Sequence, residues 1–285
     1  MAEPKVGRVV AEIGETIAYL RLAGKRLSLG LLIAAAAFPA IAADVSSLDG
    51  KSLIGDSRYE RCLDLVKRDA GRALDAATAW HGAGGGAAAL HCSALALTAL
   101  RRYSEAAQQL DQAAHDAMAG DAALRAELLD QAGNAWMLAG LADKAVASLS
   151  GALAFSPNDA DLLFDRARAH AMARDWPGSE ADLSAIIAQD PNRADVFVLR
   201  ASARHAEGRK ADARADLDRA LAVYPDYPEA LVERGTMKLE AGDRVGAAAD
   251  WQQVLRDAPN SDAGAAARAR LAEMGTTTYV KQPAH

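Results

Sequence analysis

Residues 191–226 read PNRADVFVLRASARHAEGRKADARADLDRALAVYPD, a stretch that opens on Pro191-Asn192 and closes on Pro225-Asp226. The pattern recurs on either side at Pro157-Asn158 and Pro259-Asn260, so four prolines stand 34 residues apart without a slip. A short polar residue after each proline can cap a helix N-terminus by accepting an otherwise unpaired backbone N–H. Ten residues after the first three prolines come Ala167, Ala201 and Gly235, small enough to let two helices approach closely. Beyond Gly208 or Gly242, Ala213 and Ala247 open a second apolar stripe at helical spacing. It is continued by Leu217, Ala220 and Leu221 in one period and by Trp251, Val254 and Leu255 in the next. Each period is therefore predicted to be helix, turn, helix.

A 34-residue helix-turn-helix unit with small residues at its eighth and twentieth positions and proline at its thirty-second resembles the tetratricopeptide repeat, TPR. In that register the units run 126–159, 160–193, 194–227 and 228–261, after a degenerate unit at 87–120. Gly133, Gly140, Ala145, Ala152 and Pro157 fill the matching places of the first regular unit. The departures are Ser179 in place of alanine, Trp176-Pro177 opening a second helix, and five extra residues, 121–125, expected to fall in a loop. The resemblance implies an all-α fold, a TPR-like right-handed α-solenoid of antiparallel helix pairs, and protein–protein binding as its business. With a helix pair expected near 57–68 and 70–82, the solenoid should span 57–275. It would be degenerate over 57–120, regular over 126–261, closed by one helix at 262–273, and followed by a flexible tail at 276–285.

Half of the 285 residues are hydrophobic but only 5% are aromatic, which suits thin helix-on-helix packing better than a deep core around a cavity. Ahead of the repeats, Lys25-Arg26 precedes the apolar run Leu27 to Phe38 and then Pro39-Ala40-Ile41-Ala42. A basic segment, an apolar run of this length and Ala-x-Ala describe a secretory signal peptide over 1–42, cleaved after Ala42. The other reading is an uncleaved inner-membrane anchor facing the periplasm, although Leu27 to Ala43, interrupted by Pro39, is marginal for spanning a bilayer. Residues 43–56 read as a polar linker. The expected location is thus periplasmic or secreted. Residues 1–42 hold five basic and three acidic side chains, so their removal takes the net charge from −6 to −8. An acidic chain argues against nucleic acid, whose phosphates need a basic footprint. After cleavage, no stable membrane insertion is expected.

The chain has two cysteines, Cys62 and Cys92. An even count in an oxidising compartment favours a disulfide. In a TPR stack their helices, the first of the leading pair and the first of the next unit, would be neighbours. Closing that loop of about 30 residues is worth roughly 3.6 kcal/mol in the chain-entropy model. His81, His91 and Cys92 match no zinc spacing, so no metal is expected. The run Gly84-Gly85-Gly86 lacks the strand before it and the Gly-Lys-Ser/Thr after it that a phosphate loop requires. Without a nucleotide motif or a catalytic set at identifiable spacing, the sequence points to no enzyme and no cofactor.

Arginine recurs at the seventh position of successive units, Arg166, Arg200 and Arg234, and aspartate at the twenty-third, Asp182, Asp216 and Asp250. These positions are equidistant from the turn, so three ion pairs within repeats are expected rather than a binding stripe. Paired burial relieves the desolvation that would penalise either charge alone.

The resemblance also implies a ligand groove lined by the first helix of each unit, chiefly at its second, fifth, ninth and twelfth positions. Acids at every second position, Glu127, Asp161, Asp195 and Glu229, are explained by the helix macrodipole. The remaining stripe offers Phe164, Val198 and Val232 as an apolar row, flanked by Asn134, Arg168, Ser202 and Thr236, with His205 placed to face a ligand. An apolar row with an acidic rim suits a protein segment with hydrophobic anchors and basic flanks. The leading expectation is an exported TPR scaffold or adaptor holding such a segment on its concave face. The alternative is a structural subunit of an envelope complex, assembling through the solenoid ends or convex face. The sequence leaves the oligomeric state and the partner's identity open.

Overall fold

Thirteen α-helices make up the residues described by the computed structural model, 57–117 and 121–280. The expected signal segment 1–42, the linker 43–56 and the last five residues of the expected tail lie outside the described residues. The chain divides between Pro191 and Asn192 into two compact units. The first holds α1 (Ser57–Arg68), α2 (Ala70–Gly82), α3 (Gly86–Ala99), α4 (Tyr103–Asp116), α5 (Ala122–Leu138), α6 (Ala142–Leu153), α7 (Ala160–Ala173) and α8 (Trp176–Gln189). The second holds α9 (Ala194–Ala206), α10 (Lys210–Val223), α11 (Pro228–Glu240), α12 (Arg244–Asp257) and α13 (Asp262–Val280).

Local chemistry starts the helices where the 34-residue period places them, but the residue after each repeat proline is not the cap. Asp159 rather than Asn158 caps α7, and α9 and α11 follow Arg193 and Tyr227 with no side-chain cap in place of Asn192 and Asp226. Asp69, Asp121, Asp159, Asp175 and Asp243 each accept a backbone N–H of the first turn that follows, and Pro177 and Pro228 occupy first-turn positions that need no N–H. The turn is equally regular. Arg101, Gly140, Arg174, Gly208 and Gly242 stand at the same place in five successive hairpins, and all five adopt left-handed backbone, with φ of 59, 74, 60, 80 and 88°. Glycine takes that conformation without the Cβ clash that arginine bears.

Two boundaries differ from expectation. The extra residues 121–125 are not a loop, because Asp121 caps a helix that absorbs the rest into its first turn. Arg125 Nε then ties that turn to Ala114 O at 3.1 Å. The closing helix runs to Val280 rather than ending near residue 273, since Gly275 weakens a helix without stopping it and the next proline is Pro283.

Packing within each hairpin is set by one small residue. An added Cβ at Gly133 would run into the side chain of Leu149, and one at Gly235 would stand 2.5 Å from Trp251 Nε1. Leu149 and Trp251 are both fully buried. The Trp251 indole N–H donates to Val232 O at 3.1 Å, so the ring cannot retreat without losing that bond. In the leading repeats a disulfide joins Cys62 of α1 to Cys92 of α3, with Cα atoms 6.2 Å apart. Beside it the Tyr59 hydroxyl donates to His91 Nδ1 at 2.7 Å, and His91 Nε2–H donates to Gln131 Oε1 at 2.9 Å. This tautomer needs a neutral ring, in keeping with the burial that holds His91 below its ordinary pKa. Burial, helped by the charge of Glu127, pushes the Tyr59 phenol up to about 12. One buried chain of bonds thereby links α1, α3 and α5. His91 and Cys92 are both committed to these contacts.

Two measurements check the packing. Gly235→Ala should destabilise the second unit by about 1–3 kcal/mol, the usual cost of overpacking, read as a lower thermal midpoint. In the unfolded, oxidised protein a thiol titration should find no free cysteine.

Candidate functional site

Side chains at the seventh and twenty-third positions meet as bidentate forks. Arg166 donates through Nε and Nη2 to Asp182 Oδ2 and Oδ1 at 2.8 and 2.7 Å; Arg200 meets Asp216 at 2.9 and 2.7 Å, and Arg234 meets Asp250 at 3.0 and 2.8 Å. The three aspartate side chains are 4–6% exposed. Buried carboxylates need compensation, and two of them receive a second cation not foreseen from the sequence. Arg204 Nη1 lies 2.7 Å from Asp216 Oδ2, and Lys238 Nζ lies 2.8 Å from Asp250 Oδ2. Both cations stand four residues after the ladder arginine, on the same helix face, and that spacing was the signal available. For Asp250, burial pushes the carboxyl up, but Arg234 and Lys238 outweigh it and hold the pKa below the ordinary value. The unit at 126–159 has Ala132 and Ser148 in these places. There Asp111 of α4 accepts from Ser148 Oγ and Trp136 Nε1, both at 2.8 Å.

On the first helices of the first unit, the structure connects two stripe residues through one that sequence reasoning passed over. Asn134 Nδ2 donates to Asp165 Oδ2 at 2.9 Å and to Asp130 Oδ1 at 3.3 Å, while Arg168 Nη1 meets Asp165 Oδ1 at 2.8 Å. Asp165 was legible as the partner of Arg168 three residues on, though not as a bridge to α5. Asn134 Oδ1 is buried without a donor. Arg168 is buried within this network, and Phe164 is half-buried one turn before it. Asp130 is driven up to about 7, first by burial and then by the charges of Asp165, Asp159, Glu127 and Asp161. Burial also raises Glu127, against a hydrogen bond from Gln131.

The first helices of the second unit correct the expected apolar row. Val198 and Val232 are only 7% and 9% exposed, so neither presents an open anchor. Val232 packs in a cluster with Trp251, Ala263 and Ala267, because a short branched side chain is covered once the following helices close over it. Ser202 Oγ and Thr236 Oγ1 donate to Val198 O and Val232 O of their own helices, at 3.1 and 3.0 Å, so their protons are spent locally. What this face carries is polar. His205 Nε2 lies 2.9 Å from Glu240 Oε2, which Lys210 Nζ also meets at 2.9 Å, and His205 Nδ1 is buried without a partner. Burial pushes the nearby Glu233 carboxyl up, opposed by His205 and Arg270 and reinforced by Glu240.

Among the described residues no group of three His, Cys, Asp or Glu side chains could hold a metal ion, and no helix is long and apolar enough to cross a membrane. No protein-family model matches the sequence, and no curated protein matches it either. Solved structures do resemble it. YrrB, described as a TPR protein with an unusual peptide-binding site, aligns with a TM-score of 0.53 at 19% identity, covering 66% of this chain and 96% of its own. TTC0263, a thermophilic TPR protein of Thermus thermophilus, aligns with a TM-score of 0.51 at 20% identity, covering 65% and 96%. Likeness at such identity shows the fold, and the fold is that of the tetratricopeptide-repeat proteins.

The two kinds of ladder rung should behave differently when cut. Arg166→Leu should cost about 3 kcal/mol or more by leaving Asp182 buried with its fork gone, and Arg166→Leu with Asp182→Leu should cost less than the single change. Arg200→Leu should cost only about 1–2 kcal/mol, because Arg204 still holds Asp216. Chemical denaturation of the four proteins measures this, and equal losses for the two single variants would remove the role given to Arg204.

Proposed function

We propose that the chain is a protein-binding scaffold, non-enzymatic, that holds a segment of another protein against the first helices of its repeats. The observation that carries this reading is the pairing on α5 and α7 of a half-buried aromatic, Phe164, with the cross-linked polar set Asn134, Asp165 and Arg168. An aromatic anchor beside ordered hydrogen-bonding groups is the chemistry of a binding hot spot. The likeness to a peptide-binding TPR protein points the same way, at the level of fold. On the second unit, Ser202, His205 and Thr236 would serve as polar contacts at most, and Val198 and Val232 as support beneath the surface. We further infer that the protein works outside the reducing cytosol, periplasmic or secreted. The apolar segment at 27–38 after Lys25-Arg26 and the bonded pair Cys62 and Cys92 support this.

Crosslinking in the native envelope, with the captured protein identified, tests the reading. Phe164→Ala should abolish capture while shifting stability by no more than about 1 kcal/mol, as for a partly exposed side chain. Val232→Ser, by contrast, should cost about 2 kcal/mol by placing a hydroxyl in the core. Undiminished capture by Phe164→Ala would move the binding face elsewhere.

A further inference from the structure

The junction between α5 and α7 places two carboxyl groups on one amide. Asn134 Nδ2 is within hydrogen-bonding distance of both Asp130 Oδ1 and Asp165 Oδ2, and it also reaches Asp130 O at 3.2 Å. Asp165 has a second donor in Arg168. Asp130, half-buried on α5, shares its donor and faces negative charge from every side that acts on it: Glu127 on its own helix, Asp159 at the cap of α7, and Asp161 and Asp165 on α7. On the other flanks of α5, three polar groups are engaged away from Asp130. His91 of α3 is held neutral against Gln131, Asp111 of α4 is occupied by Trp136 and Ser148, and Lys144 of α6 lies over the Trp136 ring. Two carboxylates close together on one donor cannot both ionise cheaply, and the one with the poorer partners keeps its proton.

We propose that the α5–α7 junction is a proton-controlled joint, tight while Asp130 is a neutral carboxylic acid and loosened when it releases its proton to solvent. As a neutral acid, Asp130 lets Asn134 bridge α5 to Asp165 without opposition. As a carboxylate it competes with Asp165 for the same N–H group and is repelled by the four acids around it. The shift of Asp130 to about 7 puts this change near neutral pH. The sign follows from linkage. Folding raises the pKa, so the folded state keeps a proton that the unfolded chain gives up. Stability therefore falls as pH rises from the ordinary aspartate value toward 7, and is flat above it. Because Asn134 and Arg168 also belong to the proposed binding face, partner affinity would inherit the step. That consequence rests on the functional reading above, whereas the joint itself is tested on the free protein, so the two can fail separately.

Carbon-13 NMR of the Asp130 carboxyl in the intact wild-type protein reads the titration without any substitution. A midpoint near 7 is expected, and one near 4 would overturn the joint. Amide hydrogen exchange reads the loosening. At about pH 8.5, α5 and α7 of the wild type should exchange about tenfold or more faster than in Asp130→Asn, which imitates the neutral acid. At about pH 5.5 the difference should be clearly smaller, since the folded protein then still keeps the proton and only the opened chain has given it up. Equal protection at the higher pH, or the same difference at both, would overturn the proposal. Asp165→Asn should lower the Asp130 midpoint by removing the largest of the charges that raise it, and an unmoved midpoint would overturn the coupling between the two carboxyl groups.

Discussion

Each hairpin depends on how closely its two helices approach at one height, where a residue with little or no side chain on the first helix faces a large one on the second. Gly133 leaves room for Leu149, and Gly235 leaves room for the Trp251 indole. Interhelical distance is set by the side chains at the crossing, so a single Cβ there would spread the pair along its length. The arginine and aspartate of the ladder sit one residue before these positions on their respective helices. The same close approach that packs leucine or tryptophan also shuts water away from Asp182, Asp216 and Asp250. A dry carboxylate must be paired, which is why each meets a guanidinium through two parallel bonds.

The leading repeats lack the ladder and are held by other means. Asp111 takes the place of the missing rung by accepting from Trp136 and Ser148. Further toward the N-terminus, the Cys62–Cys92 bond and the Tyr59–His91–Gln131 chain fasten three first helices side by side. Here covalent and buried polar links replace sequence regularity. Such a network specifies one arrangement because each of its members is satisfied in that arrangement alone.

The faces presented by the first helices differ between the two units. In the first, acids outnumber bases around Asp130, and one arginine, Arg168, is drawn into the cluster. In the second, Glu240 is held low by Lys210 and His205 against the push of burial, and the apolar residues that would have formed a groove floor are covered. A repeat that is uniform in its hairpin contacts is thus free to vary on the face its hairpins do not use. That freedom is what allows one fold to carry many different binding surfaces.

The sequence by itself determined the period, the turn between paired helices, the fork between the seventh and twenty-third positions and the adjacency of Cys62 and Cys92. All of these lie within one hairpin or between successive repeats, and for such contacts spacing along the chain fixes distance in space. Arg204 and Lys238 were within reach of the same logic, four residues past the ladder. What only the tertiary structure decided is which side chains end up covered. Val198 and Val232 occupy groove positions by register yet are buried. Asp165 is off the expected stripe yet bridges two helices, and Asp130 looks like an ordinary first-helix acid yet burial and the acids around it push its carboxyl up to about 7. Burial and the field of surrounding charges are sums over neighbours from several helices, and no local pattern of residues contains that sum.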